Sequence, residues 1–548
     1  MDSPRSALAD AGLPPLIVHL LHRRGIQSAD DAALFLGNQA TQLEDPRLLP
    51  DIELAKERLH AAKRRGERVA VYGDFDADGV TGTALLVKAL QQFGLDTIAY
   101  IPHRVTEGHG LNEKAIQLLR DKGASLILTV DCGVTDVEAI SKAKAGGTDV
   151  IVTDHHLTAD RLPDAVAIIN PHAPRSAYPF DHLTGVGMTL KIAQALLEEE
   201  HPDTWSHGLM ELAAIGTITD MAPLLGENRH IVMRGIEQLR RTSSPGLLAL
   251  MEAARIEPGY ADATDIGFGI GPRLNAAGRM DHADIAYDLL VTSDQQHAAA
   301  LVKELDAHNR MRQTLTAETL EQARESIGGK APPVIMLGSP EFNPGVVGLV
   351  AGKLADEFGV PALVYAVENG RVLGSCRSGP DFHWANALDA CEELLLRHGG
   401  HAQAAGFSCE PVVLDSLRQR LEALAVEWSG GRSPVRARSL DALACLPDLM
   451  GPTFQALRKM EPFGVGNPKP LFLSRGLDVE QVSTMGAEKQ HLRLTLRADG
   501  AVWNAVAFRQ SWVPGTAKVD IVHNLTVDRW NGRERLQLHI EDYAPAYD

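Results

Sequence analysis

Three aspartates occupy alternate positions in the run YGDFDADGVTGTA, residues 72–84. Asp74, Asp76 and Asp78 follow a continuous apolar stretch and stand just before Gly79 and a helix-like segment. Carboxylates this close repel one another, and holding them beside a core is costly unless cations compensate them. Hard oxygen ligands of this kind suit Mg²⁺ or Mn²⁺. Taken alone, the run would also fit a solvated calcium-like loop or a helix-capping loop.

Further acidic and imidazole side chains follow apolar stretches later in the chain. Asp131 ends LTVD, Asp154 is followed by His155 and His156, and Asp220 follows IGTIT. A lone buried histidine is more often a hydrogen-bonded core residue, and Asp220 alone could be a helix cap. Two adjacent histidines after an aspartate are harder to explain by packing. Together these groups could hold two metal ions with one carboxylate shared, and the imidazole favours manganese somewhat over magnesium.

The elements that would position these side chains alternate between strand and helix from Val69 to Asn170. The runs VAVYGD, TIAYIP, LILTVD, VIVTD and AVAIIN are continuous and β-branched, as in parallel strands buried on both faces. Helical stretches that end in glycine separate them, so we predict an α/β fold with a doubly wound parallel sheet. Functional groups gather at the carboxyl ends of such strands. The residues expected there are Asp74, Arg104, Asp131, Asp154 and Asn170.

Residues 183–282 are predicted to be mostly helical, with Gly-rich interruptions at GVGMT and GFGIGPRLNAAGRM. Neither Gly nor Pro occurs from Ala283 to Ile327, and a helix from Ser293 or Asp294 to about Ser326 would span on the order of 50 Å. We expect this long helix to connect two lobes. The second lobe, to Trp428, is predicted to be another α/β unit, with helices at GLVAGKLADEFG and ANALDACEELLLRHGG.

The last part of the chain has a different pattern. The polar stretch SGGRSPVRARS is predicted to be a linker, and beyond EPFGVGNPKP apolar and polar residues alternate. Turn signals, among them Asp499-Gly500 and Asn531-Gly532, divide the alternating runs. Five or so short strands suggest a β-barrel, and an OB-fold, which binds single-stranded nucleic acid, is the natural candidate.

These patterns divide the chain into five segments. We predict an N-terminal helical segment (1–50), a catalytic domain (51–282), a long connecting helix (283–330), a second α/β domain (331–428), and a linker with the OB-fold-like domain (429–548).

Charge and composition bound the possible functions. The net charge of −18 would ordinarily argue against nucleic-acid binding, but residues 431–548 carry 15 Lys and Arg against 13 Asp and Glu. No apolar run approaches the roughly 20 residues of a membrane-spanning helix, and the first residues lack the pattern of a secretory signal. The five cysteines are scattered and are expected to be reduced. We expect a cytoplasmic protein without membrane contact.

The motifs resemble those of the DHH phosphoesterase superfamily. DFDADG, the DHH run at 154–156, Asp131 and Asp220 match its first domain, and GVVGLVAGKLADEFGVPALV, GSCRS and GGHAQAAGFS look like its DHHA1 domain. The domain order, long helix and C-terminal β-domain are similar to those of the superfamily's single-stranded-DNA exonucleases, over nearly the whole chain. Cys376, within GSCRS, is a minor variation.

The resemblance implies a role for each candidate residue. Two ions, Mn²⁺ or Mg²⁺, would activate a water that attacks phosphorus in line. Asp74 and Asp76 would bind the first ion, and Asp78, His155 and Asp220 would bind the second. Asp131 would bind both ions. His156 would face the scissile phosphate, and Asp154 would orient the imidazoles.

A second group of residues is expected to bind the strand. Arg104, Ser375 and Arg377 are similar to the family's pocket for a 5′-phosphate, although Arg377 alone could be a surface arginine. The other predicted phosphate contacts are Arg273, Asn275 and Arg279 near the metals and Gly400 with His401 on the second lobe. His103 and His109 stay undecided between this role and that of polar loop residues.

The resulting hypothesis is an exonuclease that degrades single-stranded DNA 5′→3′ to mononucleotides in repair and recombination. The resemblance suggests a single-stranded-DNA-binding protein and a helicase as partners, and we expect a monomer. One alternative is a phosphoesterase for cyclic dinucleotides or short oligonucleotides, for which the C-terminal extension is unnecessary. The other is a DNA-binding scaffold without catalysis, which the full set of Asp and His ligands disfavours.

Overall fold

Helices dominate the middle of the chain, and strands dominate its end. The computed structural model describes residues 8, 12–37, 43–202, 204–329, 331–379, 381–430, 438–486, 488–512, 517–528 and 534–546. The helices are α1 (Pro15–Arg23), α2 (Ala29–Phe35), α3 (Ile52–Arg65), α4 (Ala77–Phe93), α5 (Glu113–Asp121), α6 (Val137–Ala145), α7 (Gly185–Leu197), α8 (Met210–Thr219), α9 (Gly226–Leu239), α10 (Pro245–Ala253), α11 (Gly271–Met280), α12 (Asp284–Val291), α13 (Gln295–Ile327), α14 (Pro344–Phe358), α15 (Trp384–Asp389), α16 (Leu414–Ser429) and α17 (Pro452–Lys459). The strands are β1 (Arg68–Gly73), β2 (Asp96–Tyr100), β3 (Ala124–Val130), β4 (Asp149–Thr153), β5 (Ala167–Ile169), β6 (Ile335–Ser339), β7 (Ala362–Glu368), β8 (Arg371–Arg377), β9 (Arg397–Gly400), β10 (Ala404–Cys409), β11 (Ala442–Leu443), β12 (Phe472–Met485), β13 (His491–Ala498), β14 (Ala501–Phe508), β15 (Lys518–Asp528) and β16 (Arg535–Pro545).

The chain forms two units. One contains residues 45–220 and 234–437, and the other contains residues 1–44, 221–233 and 438–548. Within the described ranges, each helix is too short or too polar to cross a lipid bilayer.

The first sheet of the larger unit is parallel and has the strand order β2-β1-β3-β4-β5. Strands β1, β3, β4 and β5 are buried along nearly their whole length, which explains their unbroken apolar sequences. The predicted doubly wound sheet is therefore confirmed. The chain order reverses between β1 and β3, and such a switch point opens a crevice at the carboxyl ends of the strands.

Glycines let the helices approach this sheet closely. The segments GVGMT and GFGIGPRLNAAGRM, predicted to interrupt helices, instead form the start of α7 and a π-helical turn (Asp265–Ile270) that continues into α11. That prediction was wrong because these glycines provide space in a helix and do not break it. A β-carbon on Gly185 would lie 2.5 Å from the Asp131 β-carbon, and one on Gly278 would lie 2.5 Å from the Phe75 carbonyl oxygen.

The predicted long helix is α13, whose 33 residues span about 50 Å. It begins after Asp294, whose side chain accepts a hydrogen bond from the His297 amide (2.8 Å). The segment 283–330 is not one helix, because α12 ends at Val291 and Thr292 is extended. The absence of Gly and Pro could not reveal this break, which depends on the Asp294 cap.

The second sheet of this unit has the order β6-β7-β8-β10-β9, with only β6 and β7 parallel. The helix predicted for ANALDACEELLLRHGG is wrong beyond Asp389, where a short 3₁₀ turn (Glu392–Leu394) leads into β9. Pairing with β10 overrides the helical propensity of this segment, and the Leu396 amide donates to the Ser408 carbonyl (2.8 Å). The β9–β10 turn then places His401 at one end of the sheet.

The smaller unit contains the predicted β-barrel. Five strands form a closed cycle β12-β13-β14-β16-β15, because β12 pairs with both β13 and β15. The predicted Asp499-Gly500 turn joins β13 to β14, with both residues at positive φ (47° and 81°). The Asn531-Gly532 turn and most of the predicted linker, residues 431–437, lie outside the described residues. Leu20 and Leu21 of α1 belong to the same hydrophobic core as the barrel.

One buried histidine in the barrel is held in its neutral form. His523 Nε2 lies 3.0 Å from Ser474 Oγ, which donates to the Ala444 carbonyl (2.6 Å). The His523 Nδ1 atom is buried and has no hydrogen-bond partner among the described residues. Protonation would place an unpaired N–H in the core, and burial lowers the pKa of His523 to about 4.

His523 should therefore make this unit less stable in mild acid. Between pH 7 and 5 the unfolded chain binds a proton at His523 and the folded chain does not, so the free energy of unfolding should fall by about 2 kcal/mol. We expect His523→Gln to remove this part of the pH dependence in thermal unfolding followed by calorimetry. His22→Gln, at an exposed position of the same unit, is the control. Identical pH dependence in the His523 variant and the wild type would contradict the assignment.

Candidate metal centre and phosphate site

Hydrogen bonds extend the first sheet by one residue beyond three of its strands. The amide of Asp74 donates to the Val130 carbonyl (3.2 Å) and that of Asp131 to the Thr153 carbonyl (3.1 Å). The Asp154 amide donates to the Ile169 carbonyl (3.2 Å) in the same way. The three aspartates are thus fixed side by side at the carboxyl ends of β1, β3 and β4.

Acidic and imidazole groups from this edge form three clusters in which the possible ligand atoms lie within 4.8 Å of one another. Asp131 and His155 each belong to two clusters, so the clusters are contiguous. Two adjacent cation positions that share Asp131 fit this arrangement. The clusters are Asp74 with Asp76 and Asp131, Asp78 with His155 and Asp220, and Asp131 with His155 and His156.

Helix N-termini hold two of the carboxylates. Asp76 caps α4, accepting hydrogen bonds from the amides of Asp78 (2.9 Å) and Gly79 (3.1 Å). Asp78 accepts from the amides of Gly185 (2.6 Å) and Val186 (2.9 Å) at the start of α7. The capping loop considered for this run is therefore present, and it orients carboxylates that also belong to the clusters.

Asp220 lies at the opposite end of a helix. It is the C-cap residue of α8, so the helix cap considered for it is present, but it lies near carbonyl oxygens whose partial negative charge disfavours a carboxylate. Its Oδ2 atom is 4.0 Å from His155 Nε2. Burial and the charges of Asp78 and Asp76 raise the pKa of Asp220. A carboxylate in this position needs a nearby positive charge to stay ionised.

The environment of the Asp131 carboxylate shows whether divalent cations fit this site. Its Oδ1 atom is buried and accepts no hydrogen bond from any described residue, although His155 Nε2 lies 3.0 Å away. Burial and the neighbouring aspartates raise the pKa of Asp131 well above its usual range. An orphaned carboxylate oxygen among other hard oxygen ligands and one imidazole is the donor set that Mn²⁺ and Mg²⁺ accept.

Asp154 orients the two histidines without belonging to a cluster. It accepts hydrogen bonds from the amides of Val134, His155 and His156 and from His156 Nδ1 (2.7 Å). Burial raises its pKa, but the His156 hydrogen bond and the amides outweigh this and lower it to about 2. Asp154 is thus a charged acceptor, and Asn170 also holds the loop by donating to the His156 carbonyl (2.9 Å).

The pKa values of the two imidazoles shift in opposite directions. Burial and the proximity of His156 lower the pKa of His155 to about 4, so its ring is neutral and free to bind a metal. Burial lowers the pKa of His156 as well, but the hydrogen bond to Asp154 overcomes this and the net shift is upward. The same hydrogen bond fixes the His156 ring with Nδ1 on Asp154.

His109, which the sequence left undecided, belongs to this site. Its Nδ1 atom is 3.1 Å from Asp74 Oδ1, and its ring packs edge-on against His156 with centroids 5.6 Å apart. The position of His109 in the sequence gives no signal of this contact. His103 has a local role, because its Nδ1 accepts from the amides of Val105 and Thr106.

Arginines and a serine form a second cluster beside the acidic one. The Arg104 guanidinium stacks over Phe75, with 4.7 Å between its carbon and the ring centroid. Arg279 and Arg377 each donate to one backbone carbonyl, of Gly345 (3.2 Å) and Cys376 (2.7 Å) respectively. A β-carbon on Gly348 would lie 3.3 Å from Ser375 Oγ and from Arg377 Nη2, so this glycine leaves space beside both side chains.

This second cluster is strongly positive. Burial and the charge of Arg104 lower the pKa of Arg279 to about 9, and burial also lowers that of Arg377. None of these three arginines forms an ion pair with a carboxylate in the part of the chain that the structure describes. A site with this charge and these donors can bind a phosphate.

Two other residues that were predicted to bind phosphate contact other protein groups in the structure. Arg273 pairs with Asp306 (3.2 Å) and donates to the carbonyls of Gly269 (2.8 Å) and Ala253 (3.2 Å). Asn275 Oδ1 accepts from the Ala77 amide (3.0 Å) at the start of α4. The structure therefore gives both residues framework contacts, and their phosphate contacts stay a prediction.

His401 approaches the metal cluster from the second sheet. Its ring lies parallel to that of His156, with centroids 6.5 Å apart. The preceding Gly400 has φ 135°, and a β-carbon there would lie 2.5 Å from the Ala404 carbonyl oxygen, so only glycine fits this turn. The two lobes of the larger unit thus both reach the site.

Comparison with known families assigns three parts of the chain. Residues 68–217 match the DHH family N-terminal domain, residues 331–427 the DHHA1 domain, and residues 440–542 the RecJ OB domain. The sheet, the acidic site and these matches define the class of protein, a phosphoesterase of the DHH type with a DHHA1 domain.

Individual relatives narrow the class to one family. The chain is 37% identical to the single-stranded-DNA-specific exonuclease RecJ of Bacillus subtilis, over 99% of this chain and 70% of the relative. It is 33% identical to that of Salmonella typhimurium, over 99% and 98% of the two chains. The crystal structure of Thermus thermophilus RecJ in complex with Mn²⁺ superposes with a TM-score of 0.84, at 32% identity over 99% of this chain and 78% of that one. The chain belongs to the RecJ family of single-stranded-DNA-specific exonucleases.

The glycine that packs against Asp131 supplies a test of the metal centre. We expect Gly185→Ala to displace the Asp131 carboxylate, because the added β-carbon would lie within 3 Å of its Cβ, Cγ and Oδ1 atoms. Mn²⁺ affinity, measured by isothermal titration calorimetry, should fall by roughly tenfold or more. Gly187→Ala is the matched control, since there the nearest atom is a methyl carbon of Leu183 at 3.2 Å. Equal Mn²⁺ affinity in the two variants would argue against a role for Asp131 in metal binding.

Proposed function

We propose that this chain is a metal-dependent exonuclease that hydrolyses single-stranded DNA from the 5′ end and releases 5′-mononucleotides during repair and recombination. The main support is the adjacency of an acidic cluster organised around Asp131 and a positive cluster of Arg104, Arg279 and Arg377. The first suits divalent cations, and the second suits the phosphates of a strand. The names of the relatives support the substrate.

Two ions, Mn²⁺ or Mg²⁺, are the proposed cofactors, and T. thermophilus RecJ has been crystallised in complex with Mn²⁺ and with Mg²⁺. When bound, such ions activate water and offset the charge that develops on a phosphodiester. Asp131 would be shared between the two positions. The other ligands would be Asp74 and Asp76 for one ion and Asp78, His155 and Asp220 for the other.

His156 is the proposed contact to the scissile phosphate. Asp154 holds its Nδ1 atom, which leaves Nε2 as the free nitrogen of the ring. The upward shift of its pKa favours an N–H at Nε2 that can donate to a phosphate oxygen. His401, whose ring lies parallel to that of His156, would hold the strand from the other lobe.

The arginine cluster would recognise the 5′ end. Arg104, Ser375 and Arg377 can donate several hydrogen bonds to a terminal phosphate, which carries more charge than an internal one. Gly348 keeps open the space beside Ser375 and Arg377. A bound end beside the metals would restrict cleavage to the first phosphodiester bonds of the strand.

We further propose that the protein acts as a monomer in the cytoplasm with a single-stranded-DNA-binding protein and a helicase. A site that accepts one strand requires duplex DNA to be opened first, and a helicase performs that step. Light scattering of the purified protein tests the monomer.

Strands labelled at one end test the direction of cleavage. With Mn²⁺, a 5′-labelled single strand should release labelled mononucleotide from the start, while a 3′-labelled strand should shorten gradually. Asp131→Ala should abolish both reactions, because the shared ligand is lost. Glu138→Ala, in α6, is the control for the loss of one carboxylate elsewhere. Equal digestion from the 3′ end would refute the directional proposal.

Strands that differ only in the terminal phosphate test the second cluster. The wild type should prefer a 5′-phosphate to a 5′-hydroxyl, and Arg377→Gln should reduce that preference by roughly tenfold or more, since a hydrogen bond to a charged group is worth about 1.5–3 kcal/mol. Arg371→Gln, at the exposed start of the same strand β8, is the control. The measurement is kcat/KM for each strand, and an unchanged preference in Arg377→Gln would place end recognition elsewhere.

A further inference from the structure

The long helix α13 carries a row of polar side chains. His308, Asn309, Arg312 and Thr316 follow helical spacing along one side of α13, and Asn309 and Thr316 are buried. Three atoms of this row, His308 Nδ1, Asn309 Oδ1 and Arg312 Nε, are buried without a hydrogen-bond partner among the described residues. Buried polar atoms rarely lack partners in a protein, so this row calls for a ligand.

Arg312 is the charged member of the row, and it has no acidic partner among the described residues. The carboxylate of Asp306 pairs with Arg273 (3.2 Å) and with Arg310, and no ion pair to Arg312 occurs within the described ranges. The buried Nε atom of Arg312 also makes no hydrogen bond with those residues. Burial and the charge of Arg273 lower the pKa of Arg312. A partly buried cation beside other cations is costly unless an anion joins it.

The surroundings of Arg312 identify the kind of anion. The positive charges of Arg104, Arg377 and Arg312 lower the pKa of Arg279, and the negative charge of Asp76 in the metal cluster raises it. Arg312 therefore extends the positive cluster along the helix that connects the two lobes. An anion that contacts several guanidinium groups in a row beside a metal centre is most simply a chain of phosphates.

We propose that Arg312 binds a backbone phosphate of the single-stranded DNA substrate, in the role that the sequence suggested for Arg273. The identity of the ligand rests on the proposed function. The donors of Arg273 already bind Asp306 and two carbonyls. The Nε donor of Arg312, in contrast, has no protein acceptor among the described residues.

The salt dependence of DNA binding measures this contact directly. For a single strand, the slope of log K against log salt changes by about 0.7 for each phosphate neutralised. We expect Arg312→Gln to reduce the slope by about this amount, and Arg312→Lys to keep it. Arg310→Gln is the matched control, two residues away on the same helix but exposed and paired with Asp306. Binding of a fluorescent oligothymidylate is followed by anisotropy in EDTA, which prevents cleavage.

Each outcome decides the proposal. If Arg312→Gln keeps both the wild-type salt slope and the wild-type melting temperature, the proposal is overturned. The same holds if Arg273→Gln reduces the salt slope and Arg312→Gln does not. If Arg312→Gln does not fold, a clearly reduced slope in Arg312→Lys would also overturn the proposal, because lysine keeps the charge. Nuclease assays on the same wild-type preparation separate the two proposals. Absence of cleavage with the expected slopes would defeat the proposed function alone.

Discussion

Mutual repulsion among aspartates at one buried edge of a sheet is the constraint on which the rest of this protein depends. Burial together with neighbouring charges raises the pKa of Asp76, Asp78, Asp131 and Asp220. Helix N-termini stabilise two of these carboxylates, but among the described residues none of the four forms an ion pair with lysine or arginine. The charge balance of the site therefore points to bound cations.

The strand order and the glycines of the fold position the aspartates at this edge. The reversal of strand order between β1 and β3 brings Asp74 and Asp131 to adjacent strand ends, and amide hydrogen bonds fix their backbones. Gly185 and Gly216 let α7 and α8 approach, since a β-carbon on Gly216 would lie 2.8 Å from Asp78 Oδ1. These glycines allow carboxylates from distant segments of the chain to lie close enough to bind the same cations.

The sequence predicted those features that depend on local pattern. Unbroken apolar runs identified the parallel strands, and the rule on strand ends identified the acidic edge with its clusters. Features that depend on tertiary pairing were not predictable in this way. The segment around Leu396 has helical propensity yet pairs with β10, and Arg273 and Arg312 look equivalent until the position of Asp306 is known. The domain boundaries and the roles of the individual site residues stay predictions.

Diffraction from crystals grown with Mn²⁺, recorded near the manganese absorption edge, would locate the bound ions relative to Asp131. We expect two anomalous peaks, both bound by Asp131, one with Asp74 and Asp76 and the other with Asp78, His155 and Asp220 as further ligands. Strong anomalous peaks that lie away from Asp131, or a single peak without it, would contradict the shared-carboxylate centre and the hydrolytic function proposed from it.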